Sequence, residues 1–224
     1  MVIHARGGRV LVREILDDAP DEEAQRNLRE LTSINRWLGG HRVLDGSLRQ
    51  LYRADAAFTM LDVGAARGDV ARTVTGAFPR AQVTCLDWQE RNLRDAPQPK
   101  VAGNALALPF KDRAFDVVHC ALFLHHFTDD EVVDLLAKMA RCARRAVVVQ
   151  DLERHPLAYY FLPATAWLLR WSSLVLHDGP ISVEAAFHAD ELEALARRAG
   201  LAQGQVKRHW PWFRLSLVAS VSTG

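Results

Sequence analysis

Neither sign of charge dominates this chain: 28 lysines and arginines stand against 27 aspartates and glutamates, for a formal net charge of +1. A surface without a positive field has little to draw the phosphates of a nucleic acid, so a small neutral molecule is the expected partner and nucleic acid is not. Cysteine is scarce. Cys85, Cys120 and Cys142 are odd in number, far apart and each set in an apolar stretch, which indicates buried thiols rather than a disulfide framework or a zinc site. No histidine falls into a metal-spaced cluster, and no metal is expected. Internal repeats and low-complexity tracts are missing. The opening Met1-Val2-Ile3-His4-Ala5-Arg6 turns charged too soon for a secretory leader, and a cytoplasmic location is the expectation.

Hydrophobic residues, 49% of 224, suffice for one α/β domain with covering elements. Residues 1–20 read as a strand-like or poorly ordered lead-in. Asp17, Asp18, Pro20 and Asp21 mark a helix start, since carboxylates favour its positive end. Leu28, Leu31, Asn35 and Leu38 share one face of that helix, which Gly39-Gly40 should end, and a second helix is expected from Leu44 to Tyr52. These leading helices, within residues 22–55, are placed to act as a lid. Residues 58–150 then alternate strands with helices. Strands are expected at 58–64, 81–87, 100–103, 115–121 and 145–150, with a helix from Asp129 to Arg141, and two more strands near 202–209 and 213–221. That rhythm predicts a single doubly wound, mostly parallel, seven-stranded Rossmann-like sheet covered on both faces.

Residues 152–188 break the rhythm. The stretch from Tyr159 to Leu176 is apolar, but Pro163, Arg170 and Ser172-Ser173 interrupt it. Arg170 would be costly in lipid. A helical insertion over the active site is expected, binding a greasy substrate or touching a membrane surface without spanning it. Residues 189–224 close the fold with a helix and strands. A monomer or a homodimer is expected.

Three segments carry ligand chemistry. Leu61-Asp62-Val63-Gly64-Ala65-Ala66-Arg67-Gly68-Asp69 is a strand, a small-residue turn and a helix start, where the backbone can approach a ligand closely. Its Gly-x-x-x-Gly spacing departs from the dinucleotide pattern Gly-x-Gly-x-x-Gly and argues against a nicotinamide-dependent reductase. Asp87 closes the second strand, 19 residues after Gly68, where a carboxylate accepts from both vicinal hydroxyls of a ribose. Trp88 beside it offers a ring to an adenine. Asn104 and Ala105 stand after the third strand, positioned for an adenine edge. Together the three segments point to one adenosyl ligand.

These residues resemble class I S-adenosylmethionine-dependent methyltransferases. Leu-Asp-Val-Gly-x-x-x-Gly-Asp, the strand-ending Asp87, Asn-Ala-x-x-Leu-Pro-Phe-x-Asp-x-x-Phe-Asp-Val-Val and Leu-His-His-Phe are similar to the small-molecule branch related to ubiquinone and menaquinone methyltransferases, over about residues 58–150. The resemblance implies S-adenosylmethionine as cofactor. It places Asp62, Gly64, Ala65 and Gly68 by the methionine part, Asp87 on the ribose and Asn104-Ala105 at the adenine, with Ala121 in the same cofactor set. The sequence departs from the family at Ala66, where glycine is common, and at Asn104, where aspartate is common.

Methyl transfer asks the protein to align the reactants, exclude water and take a proton from a protonated acceptor. His125 and His126 follow the fourth strand, and one of them is the expected base. His177, in an expected turn Leu176-His177-Asp178-Gly179-Pro180, is a further base or substrate contact. Arg36 is expected on the cofactor carboxylate. Trp37, Tyr160 and Trp167 are expected, with His126 and His177, to wall a pocket for a flat, aromatic or apolar acceptor. O-methylation of a phenolic or quinone-like molecule is favoured, with C-methylation of a quinone or polyketide, or cofactor binding without transfer, as alternatives.

Overall fold

A computed structural model of the chain describes residues 8–12, 20–169 and 171–221. Arg170 and most of the lead-in before Pro20 lie outside the described residues. Helix α1 (Asp21–Trp37) begins on three carboxylates, Asp21, Glu22 and Glu23. Gly39, at φ +76°, turns the chain so sharply that α2 (Gly40–Arg49) starts at once, four residues earlier than the sequence pattern suggests.

The sheet then builds outward from β1 (Thr59–Val63) through α3 (Asp69–Ala77) to β2 (Gln82–Asp87) and β3 (Lys100–Ala102). The chain returns to lay β4 (Phe115–Ala121) on the other side of β1, followed by α4 (Asp129–Cys142) and β5 (Ala143–Leu152). Helices α5 (Pro156–Leu169), α6 (Ser173–Ala185) and α7 (Ala189–Arg198) lead to β6 (Gln205–His209) and β7 (Arg214–Ser220). The order is β3-β2-β1-β4-β5-β7-β6, with β7 antiparallel to both neighbours and the other pairings parallel. This is the doubly wound, Rossmann-like seven-stranded sheet expected from the alternating pattern.

Strand alternation divides the core in two. Leu61, Val63, Val118 and Cys120 pack with Val132, Leu135 and Leu136 of α4 and with α7. Met60, Val83, Cys85 and Val117 pack with Leu44 and Leu48 of α2 and with Val70 and Val74 of α3. Two-sided burial explains why the central strands are almost wholly apolar, and why Asp62 and His119 stand out inside them. The three cysteines are buried free thiols.

Helices α5 and α6 pack on each other, and α6 also reaches α1 and the turn after β4. The expected turn at Gly179-Pro180 is instead inside α6. A built Cβ on Gly179 would lie 2.3 Å from Leu162 of α5, so the glycine serves close helix packing here rather than chain reversal. Among the described residues no helix is long and apolar enough to cross a membrane.

The turn carrying His125 and His126 is a single 3-10 turn, Leu124–His126, and α4 starts directly after it. A capping box secures that start: Thr128 Oγ1 accepts from the Glu131 N–H, while the Thr128 N–H donates to Glu131 Oε2 at 2.9 Å. Thr128→Ala is expected to lower stability by about 1 kcal/mol, seen as a lower urea midpoint at unchanged m-value.

Candidate functional site

Where strand order reverses, between β1 and β4, the carboxyl ends of the strands open into a crevice, the usual ligand position in such sheets. Two adjoining cavities occupy it. The larger, about 420 Å³, lies over the β1 turn and the ends of β2 and β3, roofed by Leu28, Leu31, Thr32 and Asn35 of α1. The smaller, about 240 Å³, lies between α1, α5, α6 and the start of β7. Leu31, Leu122 and His126 line both.

The larger cavity brings together Asp62, Gly64, Ala65, Asp87, Trp88, Asn104, Ala105 and Ala121. Gly64 sits at φ +73°, and a Cβ there would meet the Phe123 ring at 2.6 Å, so both conformation and space demand glycine. Ala66, where the family commonly has glycine, is also left-handed, at φ +44°. The turn thus keeps its shape with an alanine, at a cost in backbone strain. Gly68, at φ +71°, precedes α3 and supports the turn from outside the cavity wall, against Pro97.

Asp87 clamps this turn. Its Oδ2 accepts the Ala66 N–H at 3.0 Å, and its Oδ1 accepts the Gln89 N–H at 3.0 Å and Asn92 Nδ2 at 3.1 Å. Burial outweighs these donors and pushes its carboxyl up from the ordinary range. Asn104 Oδ1 accepts the Leu106 N–H at 2.8 Å, capping the 3-10 turn that begins at Ala105. Trp88 is largely exposed at the rim.

Parallel register sets Asp62 of β1 beside His119 of β4, and their side chains meet at 2.9 Å. Burial raises the Asp62 carboxyl against the opposing pull of His119, and Asp62 Oδ2 has no hydrogen-bond partner. Sequence reading missed Asp69 and Asn35. Asp69, the first residue of α3, takes hydrogen bonds from Asn35 Nδ2 at 3.2 Å and His41 Nε2 at 3.1 Å. Burial alone would raise its carboxyl, but these bonds and the His41 charge hold it below the usual range. Among the described residues, three carboxylates and no lysine or arginine therefore line the cavity. Such a wall repels a pyrophosphate and suits a ligand with positive charge.

The smaller cavity is walled mainly by apolar groups, among them Ile34, Leu38, Leu152, Phe161, Leu162 and Val175. Its polar feature at the junction is a pair. His125 Nδ1 lies 2.6 Å from Asp151 Oδ1, with both residues buried. Burial would raise Asp151, but the charge and hydrogen bond of His125 prevail and hold its carboxyl below the ordinary range. Asp151 was also missed, although a polar residue at the carboxyl end of a central strand is the available signal. His126 stacks near His125, ring centroids 4.3 Å apart. Although its surface is exposed where the two cavities join, the protein packed around it and the neighbouring imidazole lower its pKa to about 3. Leu122, at φ +51°, holds the junction in a strained backbone conformation.

Several expected contacts are not brought together. Trp37 is 69% exposed because Ile34 and Leu38 set the inward face of α1, and Arg36 is exposed beside it; neither lines a cavity. Tyr160 and Trp167 point away, Trp167 being 81% exposed, because α5 turns Ala158, Phe161 and Leu162 inward. His177 is half-exposed on α6, 2.9 Å from Asp178, and only Asp178 reaches the cavity wall.

The sheet, its glycine turn and the acid after β2 define a nucleoside-binding α/β domain. Residues 60–146 match the family model described as "Methyltransferase domain". A demethylmenaquinone methyltransferase from Roseiflexus sp. is 34% identical over 109 residues, 43% of this chain and 44% of that protein. The match thus spans less than half of the curated relative. Two solved structures share the fold at low identity. An SAM-dependent methyltransferase from Aquifex aeolicus gives TM-score 0.62 at 15% identity, covering 88% of this chain and 98% of that one. The plantazolicin methyltransferase BamL, solved with a triazolic desmethylPZN analog and SAH, gives 0.70 at 13%, covering 92% and 93%.

S-adenosylmethionine, the cofactor of this class, fits the larger cavity. The Asp87 carboxylate suits ribose hydroxyls, the Asn104-Ala105 segment suits an adenine edge, and the unpartnered Asp62 Oδ2 suits a cationic methionine part.

Two outcomes follow from these carboxylates. Asp87→Ala is expected to weaken S-adenosylhomocysteine binding about tenfold or more, measured by titration calorimetry on a variant whose thermal midpoint shows it folded. Asp62→Asn is expected to separate stability from binding. A carboxyl whose folded pKa lies above its unfolded value of about 3.9 costs stability as pH rises through that window. The variant should therefore be the more stable cofactor-free protein at neutral pH, with the gain vanishing below about pH 4, while its affinity for S-adenosylhomocysteine falls.

Proposed function

We propose that this chain is an S-adenosylmethionine-dependent methyltransferase acting on a small, apolar hydroxyarene, with oxygen the favoured site of transfer. The observation that carries this reading is the apolar cavity opening on the cofactor cavity at His126 and Leu122, with His125 in its wall and the buried Asp151 hydrogen-bonded behind that histidine. At about 240 Å³ it suits a one- or two-ring molecule, given that an apolar cavity of ~150 Å³ accepts benzene.

The bound cofactor supplies a methyl group on a sulfonium that is already a good leaving group. Deprotonation of the acceptor falls to His125. Its ring is set by the hydrogen bond between Nδ1 and Asp151, and the imidazolium formed when the ring takes the hydroxyl proton is held by the Asp151 carboxylate. His126, with its pKa lowered to about 3, stays neutral at physiological pH. It therefore lines the junction without adding a second cation beside His125. Leu31 and Leu122 cover the junction with apolar surface, which limits water where the methyl group crosses.

A second reading, C-methylation, draws on the similarity to a demethylmenaquinone methyltransferase. A hydroxyarene deprotonated by the same histidine presents a nucleophilic ring carbon as well as oxygen, so product analysis separates the two. A protein that binds the cofactor without transferring its methyl would bind S-adenosylhomocysteine yet give no methylated product across a phenol and hydroquinone panel.

His125→Gln and Asp151→Asn are each expected to lower kcat by about 10²-fold or more, while S-adenosylhomocysteine affinity stays within twofold by calorimetry. An undiminished kcat in His125→Gln would exclude His125 as the base.

A further inference from the structure

Among the described residues, the wall of the smaller cavity contains one lysine or arginine, and it is buried. Arg214 opens β7 opposite Leu152 of β5, one rung beyond Asp151, and is 1% exposed. Its Nε donates to the Leu38 carbonyl at 2.8 Å, which ties it to the end of α1. Its Nη1 has no hydrogen-bond partner. A buried guanidinium nitrogen without an acceptor is costly, and a protein keeps one where something else completes it. Burial lowers the Arg214 pKa to about 10, against the pull of Asp151 and Asp69, so it remains charged at neutral pH.

We propose that Arg214 Nη1 is the acceptor anchor, donating to a carbonyl oxygen, so that the substrate is a neutral hydroxyaryl carbonyl compound. This rests on the methyltransferase reading above and narrows it. Charge decides between a carbonyl and a carboxylate. Asp151 of β5 and Asp69 of α3 already act on Arg214 through their charge, and Asp178 of α6 lines the same cavity, paired with His177. A carboxylate on the ligand would have to be desolvated in a largely apolar enclosure that already holds Asp178, whereas a carbonyl oxygen satisfies the donor at no such cost. The anchor sits next along the sheet from the Asp151–His125 pair. One end of the acceptor is thereby held while its hydroxyl meets His125.

The test uses the full chain saturated with S-adenosylhomocysteine and measures acceptor affinity by calorimetry, so that it does not depend on turnover. Three ligands of matched ring size are compared: a hydroxyaryl methyl ketone, the parent phenol and the hydroxyaryl carboxylate. The ketone is expected to bind about tenfold or more tightly than either of the others. That preference should vanish in Arg214→Met and survive in part in Arg214→Lys, with S-adenosylhomocysteine affinity unchanged in both. The wild-type comparison stands even if a variant fails to fold. Equal affinity for ketone and phenol, or failure of all three to bind, would overturn the anchor; tightest binding of the carboxylate would overturn the proposed class. A ketone preference that depends on Arg214, without methylated product when S-adenosylmethionine is supplied, would uphold the anchor and sink the transferase reading instead.

Discussion

The chain builds its sheet outward from β1 to β3 and then returns to the other side of β1 with β4, and this reversal is the constraint on which both cavities depend. Helix connections on opposite faces part there, leaving strand ends uncovered. The same parallel pairing of β1 with β4 fixes Asp62 against His119 in the interior. The turn following β1 and the turn following β4 then face each other, with the Phe123 ring packed against Gly64. The two cavities consequently share one wall, because the two turns that form it leave neighbouring strands.

Three features of that wall work against stability. Asp62 is a buried carboxyl with an unpartnered oxygen, and Ala66 and Leu122 are held at positive φ without being glycine. Each persists because surrounding structure overdetermines it. Asp87 fixes the Ala66 peptide through its N–H, and the Leu122 N–H donates to the Gln150 carbonyl at 2.8 Å. Strain and unsatisfied charge collect where a ligand with compensating groups would bind, while the α4 and α7 face of the sheet is an ordinary apolar core.

The sheet was legible because its strands are short apolar runs ended by Gly, Asp or Asn, and two-sided burial leaves that pattern little freedom. Asp87 was legible for the same reason: its place at the end of β2 follows from the run before it. Asp151 was not, because the expected strand stopped at Gln150, and its partner His125 lies 26 residues away in sequence. Trp37 was chosen by residue type, whereas the 3.6-residue phase through Leu31, Ile34 and Leu38 already sets it outward. Helix α5 offered no such phase. It is apolar all round, so only its packing on α6 decides that Phe161 and Leu162 face the cavity and Trp167 faces away.

Specificity in the smaller cavity then follows from what is polar in it. Apolar walls discriminate weakly, since one methylene changes affinity by only about 1–3 kcal/mol. A buried polar group discriminates more sharply, because a ligand that fails to meet it leaves it unpaired. Among groups of this kind, His125–Asp151 and Arg214 come from the β4 turn, the end of β5 and the start of β7, all anchored in the sheet. Helices α1, α5 and α6 supply most of the apolar wall, together with the polar Asn27, Asp178 and Ser182. On the proposed reading the sheet sets most of the chemistry demanded of an acceptor, and the added helices set the size of the space in which that chemistry is met.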